Sequence, residues 1–91
     1  MQDEDRLEHD ISRANRAELL MRNELLQEAW EYIESQCVRL WRETHVNDER
    51  TRERIWAMLK ANQVHKEWFG KVIANGQLSK AELRMHQKAA A

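Results

Sequence analysis

Apolar residues recur every three or four positions along the first part of the chain and predict an amphipathic N-terminal helix over residues 1–22. The stripe consists of Leu7, Ile11, Ala14, Ala17, Leu20 and Met21. Arg22 and Asn23 interrupt it, and Asn23 is a good N-cap because its side-chain oxygen accepts from the free backbone donors of the next turn. We therefore predict a break or kink at these two residues.

A second apolar stripe follows the break and predicts a long helix. It is formed by Leu26, Trp30, Ile33, Cys37 and Leu40, at alternating steps of four and three. Leu25, Ala29, Tyr32 and Trp41 widen it on both flanks. A stripe wider than the two-position seam of a coiled coil indicates contact with more than one neighbour. We expect this helix to be central to the domain or to an oligomer.

The pattern stops at residues 44–48 and resumes as a third helix, with Asn47 or Asp48 as its N-cap. Its stripe is Ile55, Leu59, Asn62, Lys66, Phe69 and Ile73, in which two polar members weaken the seam. Gly76 predicts the end of this helix, because glycine accepts the left-handed conformation that closes helices. Ser79 and Glu82 match a capping box and predict a short fourth helix from about Lys80. This tail, residues 77–91, has few apolar residues and should fray unless a partner holds it.

These elements predict an all-α fold in one domain, residues 1–91, built on an antiparallel hairpin of two long helices at residues 23–76. The N-terminal helix and the short C-terminal helix flank the hairpin. Folding back about Val46 places Trp41 near Arg52, and it also brings Cys37 near Trp56 and Trp30 near Gln63. The tryptophans are then expected to be mostly core. Composition agrees with the fold, since there is no proline and there are only two glycines.

Charge and length narrow the class of protein further. The chain has 15 basic and 16 acidic side chains, so no global field attracts it to nucleic acid or to an anionic membrane. A single cysteine fits a reducing compartment, and neither a membrane span nor a secretory signal is expected. We predict synthesis in the cytoplasm. A chain this short buries little over 60% of its unfolded surface, which favours oligomerisation.

No residue pattern indicates a reaction, a metal or a cofactor. The histidines at positions 9, 45, 65 and 86 are scattered and lack the spacing of helical metal sites. The two glycines stand alone, so no phosphate-binding loop is present, and no serine or cysteine lies in a recognisable nucleophile turn. We predict that the chain is not an enzyme.

Five residues are candidates for partner contacts. Trp56 and Trp68 lie on the flank of the third stripe, where an aromatic side chain can anchor a partner. Arg50, Arg52 and Arg54 lie at the start of a helix, where cations are mildly misplaced unless an anion meets them. The simpler interpretation of the arginines is a solvated first turn, with Glu49 and Glu53 offsetting most of their charge.

Four segments in order resemble a family of small all-helical proteins of tailed bacteriophages, encoded among the virion structural genes. They are residues 22–29 (RNELLQEA), 41–44 (WRET), 52–60 (RERIWAMLK) and 72–76 (VIANG). The resemblance covers about residues 20–83 and departs at Glu24, where the family is expected to have proline. It implies a role in phage particle assembly and supplies no catalytic residue.

We therefore expect a non-enzymatic bacteriophage structural or virion-assembly protein that acts through helix-mediated protein–protein contacts. Self-association is expected, with phage capsid, portal or tail proteins as further partners, and the host cytoplasm or the virion as the location. One alternative is a small DNA-binding packaging accessory, similar to a terminase small subunit, using the three arginines. Another is a phage-encoded regulator of a host protein.

Overall fold

The computed structural model describes residues 2–90, and within that range the chain forms three α-helices and no strand. The helices are α1 (Gln2–Met21), α2 (Glu24–Glu43) and α3 (Glu49–Ala90). The predicted all-α class is confirmed. Met1 and Ala91, the outermost residues of the predicted terminal segments, lie outside the described residues.

The first helix break is set by local capping. Asn23 has extended backbone angles (φ −68°, ψ 118°), and its side-chain oxygen accepts hydrogen bonds from the amides of Leu25 and Leu26 at 3.0 and 3.1 Å. These amides would otherwise lack partners in the first turn of α2. The predicted N-cap and the predicted break are both confirmed.

The predicted end of the third helix at Gly76 and the predicted fourth helix are wrong, because α3 continues unbroken for 42 residues. Gly76 does not have positive φ; it is buried against α1, and a Cβ placed on it would overlap the Cβ of Ala14. Ser79 is also buried, and its hydroxyl donates to the carboxylate of Asp10 at 3.0 Å. Gly76 is small where two helices approach closely, Ser79 makes a hydrogen bond to α1, and neither residue ends a helix.

Contacts divide the described chain into two units, and α3 contributes to both. In the first unit, residues 2–22 pack against residues 68–90. Arg6 pairs with Glu82 at 3.8 Å, and Asp10 contacts Ser79. The segment predicted to be a loose tail is thus packed against α1 as far as Glu82.

In the second unit, residues 23–67, α2 packs against the first part of α3. Trp30 contacts Asn62, whose side-chain amide donates to the Trp30 carbonyl oxygen at 3.2 Å. The Lys66 ammonium lies 3.7 Å from the Glu34 carboxylate. The two polar residues expected to weaken the seam therefore both have partners on α2.

The buried core is small. The buried hydrophobic residues are Leu7, Ala14, Ala17, Trp30, Cys37, Ile55, Phe69 and Val72. Fourteen large hydrophobic side chains in the described part are exposed. Much apolar surface is therefore available for contacts.

Candidate protein-contact surface at the α2–α3 turn

Exposed apolar side chains converge where α2 ends and α3 begins. Trp41, Val46 and Trp56 are 40%, 69% and 56% exposed and line one depression together with Glu49, Arg52 and Glu53. We call these six residues the turn patch. Large aromatic side chains with an arginine are the residue types that dominate the energetics of protein interfaces.

Within this patch, Arg52 connects the two helices. Its guanidinium carbon lies 4.5 Å from the centre of the Trp41 ring, which is cation–π geometry, and its Nη2 donates to the Thr44 carbonyl oxygen at 3.4 Å. The predicted proximity of Trp41 and Arg52 is confirmed. The Nε atom of Arg52 is buried and forms no hydrogen bond. Arg52 thus holds the end of α2 against the start of α3.

Arg50 and Arg54 differ from Arg52 because both are exposed, and neither forms a salt bridge within residues 2–90. Glu49 and Glu53 are interleaved with the three arginines, so the net charge of residues 49–54 is only +1. The structure therefore brings two of the three predicted arginines to the surface and gives the third a role within the chain.

Capping interactions order the turn that carries Val46. The Thr44 amide donates to the Trp41 carbonyl oxygen at 3.2 Å, and the Asp48 carboxylate accepts from the Thr51 amide at 3.2 Å. Of the two predicted caps, Asp48 is therefore the one used. Its hydrogen bonds from Thr51 lower the pKa of the Asp48 carboxyl below its ordinary value of 3.8, helped by the nearby charges of His45 and Arg52.

The two predicted tryptophan anchors lie in different units. Trp56 belongs to the turn patch, where the Lys60 ammonium lies 5.3 Å from the centre of its ring. Trp68 belongs to the first unit, is 53% exposed and packs edge-to-face on Phe69 with ring centres 5.2 Å apart. The expectation that the tryptophans are mostly core is wrong, since only Trp30 is buried, at 6% exposed.

The interaction that sequence analysis missed joins Trp30 to His65. The indole Nε1 donates to Nδ1 of His65 at 2.9 Å, and the two rings meet at 71°. The predicted register placed Trp30 beside Gln63, one residue from Asn62 and two from His65. A search for a hydrogen-bond acceptor for the Trp30 indole, within one helical turn of Gln63, would have found His65.

Other site chemistries find no support in the described residues. Within residues 2–90 no group of three histidine, cysteine or acidic side chains is placed to hold a metal ion. Over the same range, no helix has both the length and the apolar character needed to cross a membrane. Cys37 is buried.

Comparisons with models of protein families, with curated proteins and with solved structures find no match to this chain.

Proposed function

We propose that this chain is a non-enzymatic protein that acts in the assembly of tailed-phage particles through helix-mediated contacts with other proteins and with itself. In this proposal α2 and the first part of α3 form an antiparallel hairpin that presents the turn patch at its tip. The observation that carries the proposal is the exposure of Trp41, Val46 and Trp56 in one depression on an ordered turn. The phage setting rests on the sequence resemblance alone.

The physical argument concerns the cost of leaving these side chains in water. Each Å² of apolar surface removed from water is worth about 25 cal/mol, so burying two half-exposed tryptophans and a valine favours association strongly. The patch is also ordered in advance, because Asp48 caps α3 and Arg52 is stacked on Trp41. Pre-ordered contact residues lose less conformational entropy on binding.

The chain offers a matched pair of variants to test this proposal. Trp56 and Trp68 are both on α3 and are 56% and 53% exposed, but only Trp56 belongs to the turn patch. Purified chain is titrated with the capsid, portal and tail proteins of the phage that encodes it. We expect one of them to bind, Trp56→Ala to weaken binding by at least about tenfold, and Trp68→Ala to leave it unchanged. A chain that is monomeric by light scattering and binds none of these proteins overturns the proposal.

A titration of the same purified chain with duplex DNA tests the DNA-binding alternative. Affinity for duplex DNA that falls steeply with salt, and that weakens when Arg50 and Arg54 become alanine, would replace protein contact as the function. Arg52 stacks on Trp41, and Glu49 and Glu53 flank the exposed arginines, so we expect only weak binding.

A further inference from the structure

A depression between α1 and α3 in the first unit combines apolar surface with positive charge. Leu20 and Trp68 line it and are 50% and 53% exposed. Its floor consists of three buried residues, Ala17, Phe69 and Val72. Two arginines, Arg13 and Arg16, complete the lining. We call these seven residues the basic groove.

The charge lies at one end of the basic groove and the exposed apolar side chains lie at the other. Arg16 and Arg13 precede Leu20 by four and seven residues, about 6 and 10 Å along α1. Because α3 runs antiparallel to α1 here, Trp68 lies near the level of Leu20 and away from the arginines. No acidic residue lines the groove, and neither arginine forms a salt bridge within residues 2–90. The groove therefore suits a partner that presents an apolar side chain followed by carboxylates.

One face of α2, in the second unit, has the complementary composition. Its apolar side chains Leu25 and Tyr32 are 73% and 64% exposed. They line one depression together with Glu28, Ala29, Glu31 and Ser35. We call these six residues the acidic face. No basic residue lines it, and neither glutamate forms a salt bridge in the part of the chain that the structure describes.

The spacing of the charges matches as well. Glu28 and Glu31 follow Leu25 by three and six residues, about 4.5 and 9 Å along α2. The two arginines of the groove are likewise three residues apart, and their distances from Leu20 differ from these values by only about 1.5 Å, the rise of one residue. Every copy of the chain thus carries two surfaces that complement each other in charge, apolar content and spacing, and the charges of both lack partners within the described chain.

We infer that the acidic face of one copy of this chain binds in the basic groove of a second copy, with α2 antiparallel to α1 of the second copy. This inference rests on the self-association part of the proposed function and names the surfaces that carry it. Leu25 then meets the apolar end of the groove, while Glu28 faces Arg16 and Glu31 faces Arg13. Burial of the apolar side chains supplies the affinity, and the opposite charges fix the direction and register of the contact.

Charge reversal on both surfaces tests this pairing. The double variants Arg13→Glu/Arg16→Glu and Glu28→Arg/Glu31→Arg each place like charges face to face, so we expect each to self-associate at least about tenfold more weakly than wild type in sedimentation experiments. An equimolar mixture restores opposite charges at every contact, because the intact surfaces pair with each other and the reversed surfaces pair with each other. We expect the mixture to associate with near wild-type affinity. A mixture that associates no better than the separate variants overturns the inference, provided that far-UV circular dichroism shows both to be helical.

A second test changes the apolar part of the contact and leaves all charges in place. Leu25→Gln removes the side chain expected at the apolar end of the groove. Its matched control is Leu78→Gln, because Leu78 is similarly exposed, 66% against 73%, and lines neither surface. We expect Leu25→Gln to self-associate at least about tenfold more weakly than wild type, and Leu78→Gln to behave as wild type. Equal affinities of the two variants would contradict the proposed contact.

Two tryptophans of α3 distinguish failure of this inference from failure of the proposed function. Trp68 lies in the basic groove and Trp56 in the turn patch, so Trp68→Ala should weaken self-association and Trp56→Ala should leave it unchanged. A wild-type chain that remains monomeric at all concentrations, while binding a capsid, portal or tail protein through Trp56, overturns the inference and leaves partner binding intact. Self-association that is sensitive to the charge reversals, without any binding to phage proteins, supports the inference and overturns the assembly role.

Discussion

Trp30 donates its indole N–H to Nδ1 of His65 across the α2–α3 contact, at 2.9 Å. Acceptance at Nδ1 requires the neutral tautomer with its proton on Nε2. Trp30 is the largest buried side chain of the second unit, and its backbone carbonyl oxygen also accepts from Asn62. The two contacts fix the register of α2 on α3, because a slip by one residue would lose both.

Replacing His65 tests the contribution of this hydrogen bond. We expect His65→Leu to lower the free energy of unfolding by about 1 kcal/mol, the net value of a typical hydrogen bond. His65→Asn places a carbonyl oxygen near the position of Nδ1 and should lose less. Urea denaturation measures the free energy of unfolding of wild type and both variants. All three are compared at one protein concentration, because self-association makes the denaturation midpoint depend on concentration. Equal losses would show that the acceptor contributes nothing.

The two glycines of α3 give opposite predictions for the same substitution. Gly76→Ala forces a Cβ into the Cβ of Ala14 and within 3.2 Å of the Asp10 carbonyl oxygen, so we expect a loss of about 1–3 kcal/mol. Gly70→Ala adds a Cβ with nothing within 4 Å and should stabilise the helix by roughly 0.5–1 kcal/mol. Thermal unfolding followed by circular dichroism measures the difference. Stabilisation by Gly76→Ala would show that α1 does not approach this closely.

Arg52 contacts other residues of the chain, whereas Arg54 is exposed to solvent. Replacing each with alanine should therefore change the stability of the fold by different amounts. Arg52→Ala removes the cation–π contact with Trp41 and the hydrogen bond to Thr44, and we expect a loss of about 1 kcal/mol. Arg54→Ala, two residues away and exposed, should change stability by less than about 0.5 kcal/mol. Chemical denaturation at one protein concentration compares the free energies of unfolding of the two variants. Similar effects of the two substitutions would contradict this assignment.

The Asp48 carboxylate should make part of the stability of the fold depend on pH. Its pKa is lowered on folding by the hydrogen bonds from Thr51, so its contribution to stability is present above the unfolded pKa of 3.8 and is lost as the pH falls through the lower folded value. Asp48→Asn keeps an oxygen that can cap the helix but does not titrate. We therefore expect the variant to lose less stability than wild type between neutral pH and pH 3. If the free energy of unfolding falls with pH in the same way for both proteins, Asp48 does not have this role.

Some features of the fold could be predicted from the sequence because they depend on residues close together in the chain. Asn23 and Asp48 start α2 and α3 through hydrogen bonds to amides within three residues, so side-chain chemistry alone locates both breaks. The all-α class follows in the same way, from helix-forming residues with apolar positions at helical spacing and no proline.

Tertiary structure determined the features that depend on contacts between residues distant in the chain. Gly76 and Ser79 carry the local signature of a helix end followed by a helix start, yet α3 passes through both. Helix α1 packs there, so close to Gly76 that a Cβ would not fit, and Ser79 donates its hydroxyl to Asp10 on α1. Local capping gains about 1 kcal/mol, less than the burial of the apolar face that an unbroken helix retains. Likewise the sequence supplied four tryptophans, but only the packing of α2 on α3 determined that Trp30 is buried while Trp41 and Trp56 remain exposed, because a single helix-on-helix contact covers only one stripe of each helix.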